Sequence, residues 1–133
     1  MVVGTRACNL TVRLPGEAAS VPRARHLVRD FLVRKNHNPA DHAGVLLSVS
    51  EACTNAVVHG YRDGPGEIDL EASIDGSRLR IVIRDSGVGP DAPADRHGQG
   101  YGMLLIKAHS VDLQVRDRNP GTEVEMTFDL SQR

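Results

Sequence analysis

Apolar residues three and four apart mark the middle of the chain. Leu46, Val49, Cys53, Ala56 and Val57 recur at helical spacing, which predicts an amphipathic helix that stops at Gly60. At about 100° per residue, Ser48, Glu51, Asn55 and His59 share another side of that helix. This row holds short polar groups and a single acid, bordered by Leu47, Ala52 and Val58, so it is expected to be covered rather than washed by solvent. Glu51 and Asn55 are four apart, which sets a carboxylate and an amide one above the other. A covered carboxylate points to a site; a polar helix face packed on a neighbour is the alternative.

Alternation places the strands. Leu10, Val12 and Leu14 predict a first strand over 8–14, ended by Pro15-Gly16. Ser20 is expected as an N-cap with Pro22 in the first turn, opening a helix over 21–35 with the stripe Ala24, Leu27, Val28, Phe31 and Leu32. Arg23, Arg25, Arg29 and Arg34 flank that stripe, either as solvated side chains or as a docking face for an acidic partner. A loop from Asn36 follows, with Asp41 positioned to cap the central helix. Ile68, Leu70, Ala72 and Ile74, then Leu79, Ile81 and Ile83, alternate on either side of Asp75-Gly76, which predicts a two-residue hairpin turn at that pair. The expected register sets Ala72 against Leu79, Leu70 against Ile81 and Ile68 against Ile83, with Glu71 opposite Arg80 and Glu67 opposite Arg84. It also leaves Asp85 on the apolar face. A glycine- and proline-rich stretch runs to about Gly102, and Met103 to Ala108 is expected as a short helix. Val111, Leu113 and Val115 make another strand, Asn119-Pro120-Gly121 a turn, and Thr122, Val124, Met126 and Phe128 a last strand in which Thr122 shares the apolar face. The whole is expected as one domain over 1–133 of α+β class: a two-layer sandwich whose mostly antiparallel sheet of about five strands is covered on one face by three helices.

Composition narrows the function. The chain has 133 residues and a formal net charge of −1, against a dedicated nucleic-acid binder. No apolar run is long enough to span a membrane, and the first residues hold none of signal-peptide length. Cys8 and Cys53 have no metal or redox spacing and read as reduced thiols of a cytoplasmic protein; the six histidines form no metal-ligand pattern. With no Trp, two Phe and two Tyr, base-stacking platforms are not expected. Charge is uneven: residues 1 to 36 carry seven basic and two acidic groups, and the remainder is acidic.

Four motifs occur in order: Glu51-x-x-x-Asn55, Asp85-x-Gly87-x-Gly89, Gly98-Gln99-Gly100-Tyr101-Gly102 and Gly121-Thr122. There is no Gly-Lys-Ser/Thr loop, so a P-loop site is excluded. The set resembles the ATP-binding fold shared by DNA gyrase, histidine kinases and MutL (the GHKL superfamily), with its asparagine box and two glycine boxes. Within it, Ser50-Glu-Ala-Cys-Thr-Asn-Ala-Val-Val-His-Gly-Tyr61 and Gly98-Gln-Gly-Tyr-Gly-Met-Leu-Leu-Ile106 are similar to the same motifs of the bacterial anti-sigma factor serine/threonine kinases. The likeness covers nearly the whole chain. It departs at Gln99 and Tyr101, where the family leads one to expect Arg and Leu.

The resemblance implies an ATP-binding anti-sigma factor that phosphorylates a small anti-sigma factor antagonist on Ser or Thr and sequesters a sigma factor, thereby regulating transcription. A non-catalytic, ATP-dependent binding switch of the same fold is the alternative. The implied cofactors are ATP and Mg²⁺. Asp85 is expected to accept from the adenine amine, a contact guanine cannot reproduce. Gly87 and Gly89 let backbone and water approach the base, and Gly98, Gly100, Tyr101 and Gly102 belong to the phosphate segment. Asn55 is expected to hold Mg²⁺, Glu51 to act as general base, and Thr122 to meet the nucleotide's edge. His59 is expected either as a structural histidine or as a group that orients this row or touches phosphate. Partners are expected to be proteins, with no direct nucleic acid and no membrane; a homodimer is left open.

Overall fold

The computed structural model describes residues 2–6, 9–37, 42–60, 66–87, 96–118 and 120–130, the side chains of 2–6, 59–60 and 96–101 excepted. Its sheet has six strands, one more than expected: β1 (Val2–Arg6), β2 (Asn9–Pro15), β3 (Glu67–Asp75), β4 (Arg78–Asp85), β5 (Asp112–Asp117) and β6 (Thr122–Asp129). They lie in the order β1-β2-β3-β4-β6-β5, with every neighbouring pair antiparallel. Helices α1 (Ser20–Arg34), α2 (His42–Asn55) and α3 (Arg96–His109) cover one face, with α2 between the other two. The α+β two-layer sandwich is therefore as expected, and no helix among the described residues is long and apolar enough to cross a membrane.

Period-2 patterning built the core. Leu10, Val12 and Leu14 of β2, Ile68, Leu70 and Ala72 of β3, Leu79, Ile81 and Ile83 of β4, and Val124, Met126 and Phe128 of β6 all turn toward the helices. Ala24, Val28, Phe31 and Leu32 of α1, Val45, Val49, Ala52 and Cys53 of α2, and Ile106 of α3 close over them. One local expectation is corrected here. Ser20 does not cap α1: it lies inside the helix, buried, and its hydroxyl donates to the carbonyl of Pro15, tying the helix to β2. The other end of α1 is closed by Asn36 at φ 61°, with His37 N–H reaching Leu32 O and Asn36 N–H reaching Val33 O, the pattern of a Schellman motif. The proposed cap of α2, Asp41, lies outside the described residues.

The hairpin joining β3 to β4 differs in register. Its turn is Gly76-Ser77, because Asp75 pairs with Arg78. Gly76 has φ 63° and Ser77 does not share a positive φ, the arrangement of a type II′ turn, which takes glycine first rather than second. Leu70 consequently faces Ile83, Ala72 faces Ile81, and Glu71 faces Val82 instead of Arg80. Each residue's partner lies two positions further along the facing strand than expected. A shift of two is even, so every side chain keeps its face.

The uncovered face is a lattice of charge. Arg84 pairs with Glu71 and, at 2.7 Å, with Glu123; Arg116 reaches Glu123 at 2.7 Å and Glu125 at 2.9 Å; Arg80 meets Glu125 at 2.6 Å. Val82, fully buried on this side, sits between Arg80 and Arg84 along its strand. The Glu123 carboxyl is held below the ordinary glutamate range chiefly by its hydrogen bond from Arg84, and Glu125 chiefly by the one from Arg80, with Arg116 adding to both. Their folded values lie below the unfolded ones, so the stability they contribute is present above about pH 4.5 and is lost as pH falls through the folded values. Urea unfolding should show that loss at on the order of 1 kcal/mol for this partly exposed lattice. In Glu123→Gln the acid-dependent drop should shrink; a drop of unchanged size would place it in other carboxylates.

Candidate functional site

The site begins at the end of α2, where Glu51 and Asn55 are half-buried one turn apart. Ser48, expected beside them, is fully buried, and its Oγ donates to the carbonyl of Gly44 at 2.8 Å, so it is a structural residue. Cys53 faces the core, and burial pushes its thiol up to about 12, which removes it as a nucleophile. After Asn55 the helix widens into a π turn over Ala56–Gly60, a distortion that concentrates at functional sites. His59 lies in that turn with its side chain outside the described residues. The Asn55 Nδ2 is buried without a hydrogen-bond partner among the described residues. Beside it stands Gly102 of α3, where a Cβ would come 3.1 Å from that nitrogen. The asparagine box and the second glycine box therefore meet at one amide.

The other half is built at the end of β4. Asp85 continues the buried row and is only 6% exposed, paired in register with Ile68 on one side and Thr122 on the other. Its Oδ1 accepts from the Gly87 N–H at 3.0 Å, an Asx turn that orients the carboxylate. Gly121, with φ 100°, lies against this strand end: a Cβ there would fall 2.0 Å from the Asp85 carbonyl oxygen and 2.7 Å from Ser86 Cα. Only glycine satisfies both the angle and the space. Thr122 is half-buried beside Asp85. Because β4 also touches the π turn, the two halves share one end of the sandwich.

The phosphate segment differs from expectation in form. Gly98, Gly100, Tyr101 and Gly102 are helical, since α3 starts at Arg96 instead of Met103. Packing against α2 outweighs the intrinsic cost of glycine in a helix, as the Gly102 contact with Asn55 shows. Gly98 belongs to the first turn, whose amides have no intrahelical acceptors and which contains no acid; the Gly100 and Gly102 amides come after it. In this conformation an amide cradle is confined to that first turn. Gly89 lies outside the described residues.

Two contacts had no signature in the sequence. Arg118 Nη1 donates to the carbonyl of Asp85 at 3.0 Å. The Asn119-Pro-Gly signal located the turn that carries it, but nothing in the pattern indicated what that turn touches. Arg25 Nη1 donates to Ser50 Oγ at 3.0 Å, so one of the four arginines of α1 braces α2 immediately before Glu51.

Comparison with known proteins agrees with this geometry. The serine-protein kinase RsbW of Bacillus thuringiensis is 30% identical over 133 residues, covering 89% of this chain and 82% of that one. The anti-sigma F factor of Clostridium kluyveri is 29% identical over 115 residues, 77% of this chain and 81% of that one. The crystal structure of the RsbU and RsbW domains of Rv1364c from Mycobacterium tuberculosis superposes with a TM-score of 0.76 at 23% identity, over 94% of this chain and 33% of that one, which is a likeness of fold. The family model of the histidine kinase-like ATPase domain matches residues 14–128, and the chain belongs to that family.

Proposed function

We propose that this chain is an anti-sigma factor with serine/threonine protein kinase activity, which binds Mg-ATP, phosphorylates an anti-sigma factor antagonist and sequesters a sigma factor in the cytoplasm. The observation that carries the proposal is the buried Asn55 Nδ2, without a partner among the described residues and set against Gly102, one helical turn from Glu51 and at the same end of the sandwich as Asp85. A buried amide without a partner costs about 1–3 kcal/mol, a cost that calls for a functional explanation. The names and extent of the relatives support the kinase and anti-sigma assignments.

The residues present suit the ligand. Asp85 offers a buried acceptor, oriented by Gly87, for an exocyclic amine. Asn55 offers one hard oxygen, and among the described residues no cluster of three His, Cys, Asp or Glu could hold a metal. One protein ligand supplemented by phosphate oxygens is how Mg²⁺ is commonly bound. When bound, Mg-ATP supplies the transferable phosphoryl group and the charge that offsets its oxygens. Glu51 then takes the proton of the acceptor serine or threonine hydroxyl as its oxygen bonds to phosphorus and ADP leaves. The first turn of α3 presents amides to the phosphates, and Thr122 borders the base beside Asp85. The arginines of α1 are the surface we assign to an acidic partner, with Arg29 exposed and Arg25 held by Ser50.

Binding and transfer are separable by mutation. Asp85→Asn retains an oxygen for the Gly87 N–H but turns a donor toward the adenine amine, so calorimetry should show ATP affinity falling by about 10²-fold. An unchanged affinity in the folded variant would remove this pocket from the argument.

Glu51→Gln keeps the shape and discards the basicity. ATP affinity should stay within a few-fold of wild type while single-turnover phosphorylation of the antagonist slows by roughly 10²–10⁴-fold. Asn55→Ala should lose both. If wild type binds ATP tightly and transfers nothing, the non-catalytic switch is the better description.

Charge reversal at Arg29 should slow association with the protein partner and flatten its salt dependence. Indifference of the association rate would mark α1 as a solvated face.

A further inference from the structure

The turn between β5 and β6 is folded onto the end of β4. It is closed on itself by the Arg118 N–H donating to Gly121 O at 2.9 Å, and it touches β4 twice. Gly121 brings its Cα against the Asp85 carbonyl and Ser86, an approach no other residue allows. Arg118, from the opposite end of the same turn, donates its guanidinium to that same Asp85 carbonyl across 33 positions of sequence. Asp85 is the last residue of β4, and its ladder partners Ile68 and Thr122 are the terminal pairs on both sides. Strand ends beyond the last pair fray, so the depth at which this carboxylate sits depends on what holds its backbone. A hydrogen bond to the base tolerates only a few tenths of an ångström of such movement.

We propose that Arg118 is a positioning residue for base recognition: by gripping the carbonyl of Asp85, it fixes the carboxylate at the distance at which it reads the adenine amine. The proposal rests on the nucleotide site described above and adds to it a residue that makes no ligand contact of its own. Arg118 is exposed, and its side-chain bond goes to a backbone oxygen that remains in place whatever side chain stands at 118. Removing it should therefore leave the fold intact and loosen only the end of β4.

The test compares ATP with purine riboside triphosphate, which lacks the 6-amine, in calorimetric and competition titrations of wild type, Arg118→Ala and Arg118→Lys. Wild type should prefer ATP by about 10²-fold, the worth of a well-placed hydrogen bond to a charged acceptor. In Arg118→Ala that preference should fall by about tenfold, with the unfolding midpoint unchanged. Arg118→Lys, which can still donate to the carbonyl, should recover a substantial part of it. An equal loss of affinity for both nucleotides, with the preference retained, would show a merely structural role and overturn the proposal. So would an unaltered preference in Arg118→Ala. A wild type that binds neither nucleotide would overturn the nucleotide site itself and this proposal with it; a wild type that binds ATP normally alongside an indifferent Arg118→Ala would overturn this proposal alone.

Discussion

A carboxylate at the end of a buried apolar row is the constraint around which this molecule is arranged. Ile81, Ile83 and then Asp85 point into the same layer, and the acid remains only 6% exposed. Burying such a group is costly without partners, and the fold holds it at both ends: the Gly87 amide on its side chain, and Gly121 and the Arg118 guanidinium on its backbone carbonyl. An apolar residue would continue the row at lower cost, so the value of the acid lies in what it can recognise.

The two faces of the sheet divide the remaining work. On the helix side, burial is aliphatic and continuous from β2 to β6, which fixes α2 against the sheet and so fixes Glu51 and Asn55. On the open side, arginines and glutamates alternate across β3, β4, β6 and β5, and Val82 lies buried among them. Exposed ion pairs of this kind contribute modestly. Their order across four strands nonetheless sets acid beside base at each junction of β4 with its neighbours, and a shift by one would turn one strand's charges inward and its apolar row outward.

Much of this was legible in the sequence, and the omissions share a cause. Which face each strand residue occupies follows from alternation, which puts Asp85 and Thr122 on the apolar face from sequence alone. The pairing across the hairpin did not follow, because an Asp-Gly-Ser segment allows glycine to be either the first or the second turn residue, and alternation is blind to a slip of two. Ser20 looked like a cap since serine before an apolar stripe often is one; the proximity of Pro15 O was invisible. Glycines at 98, 100 and 102 read as loop because propensity opposes helix there, whereas the neighbouring α2 supplies the packing that overrides it. Arg118 had no pattern at all, being significant only through what the turn places beneath it. Faces are local and periodic; contacts between distant turns are neither.

The glycines bring this distinction to the site. Gly102 and Gly121 both sit where a Cβ would press on a functional group: one on the Asn55 amide, the other on the Asp85 carbonyl. At Gly121 the backbone angle also demands glycine, but α3 at Gly102 is ordinary helix, where alanine would be more stable by about 1 kcal/mol. The chain thus forgoes helix stability to let α3 approach Asn55, and what it obtains is an Nδ2 still lacking a partner among the described residues. Neither concession improves the folded protein taken alone. Both make sense if the end of α2 and the end of β4 are completed by a ligand that reaches from one to the other, base at Asp85 and phosphates toward Asn55. The two glycine contacts set the span that such a ligand must cross.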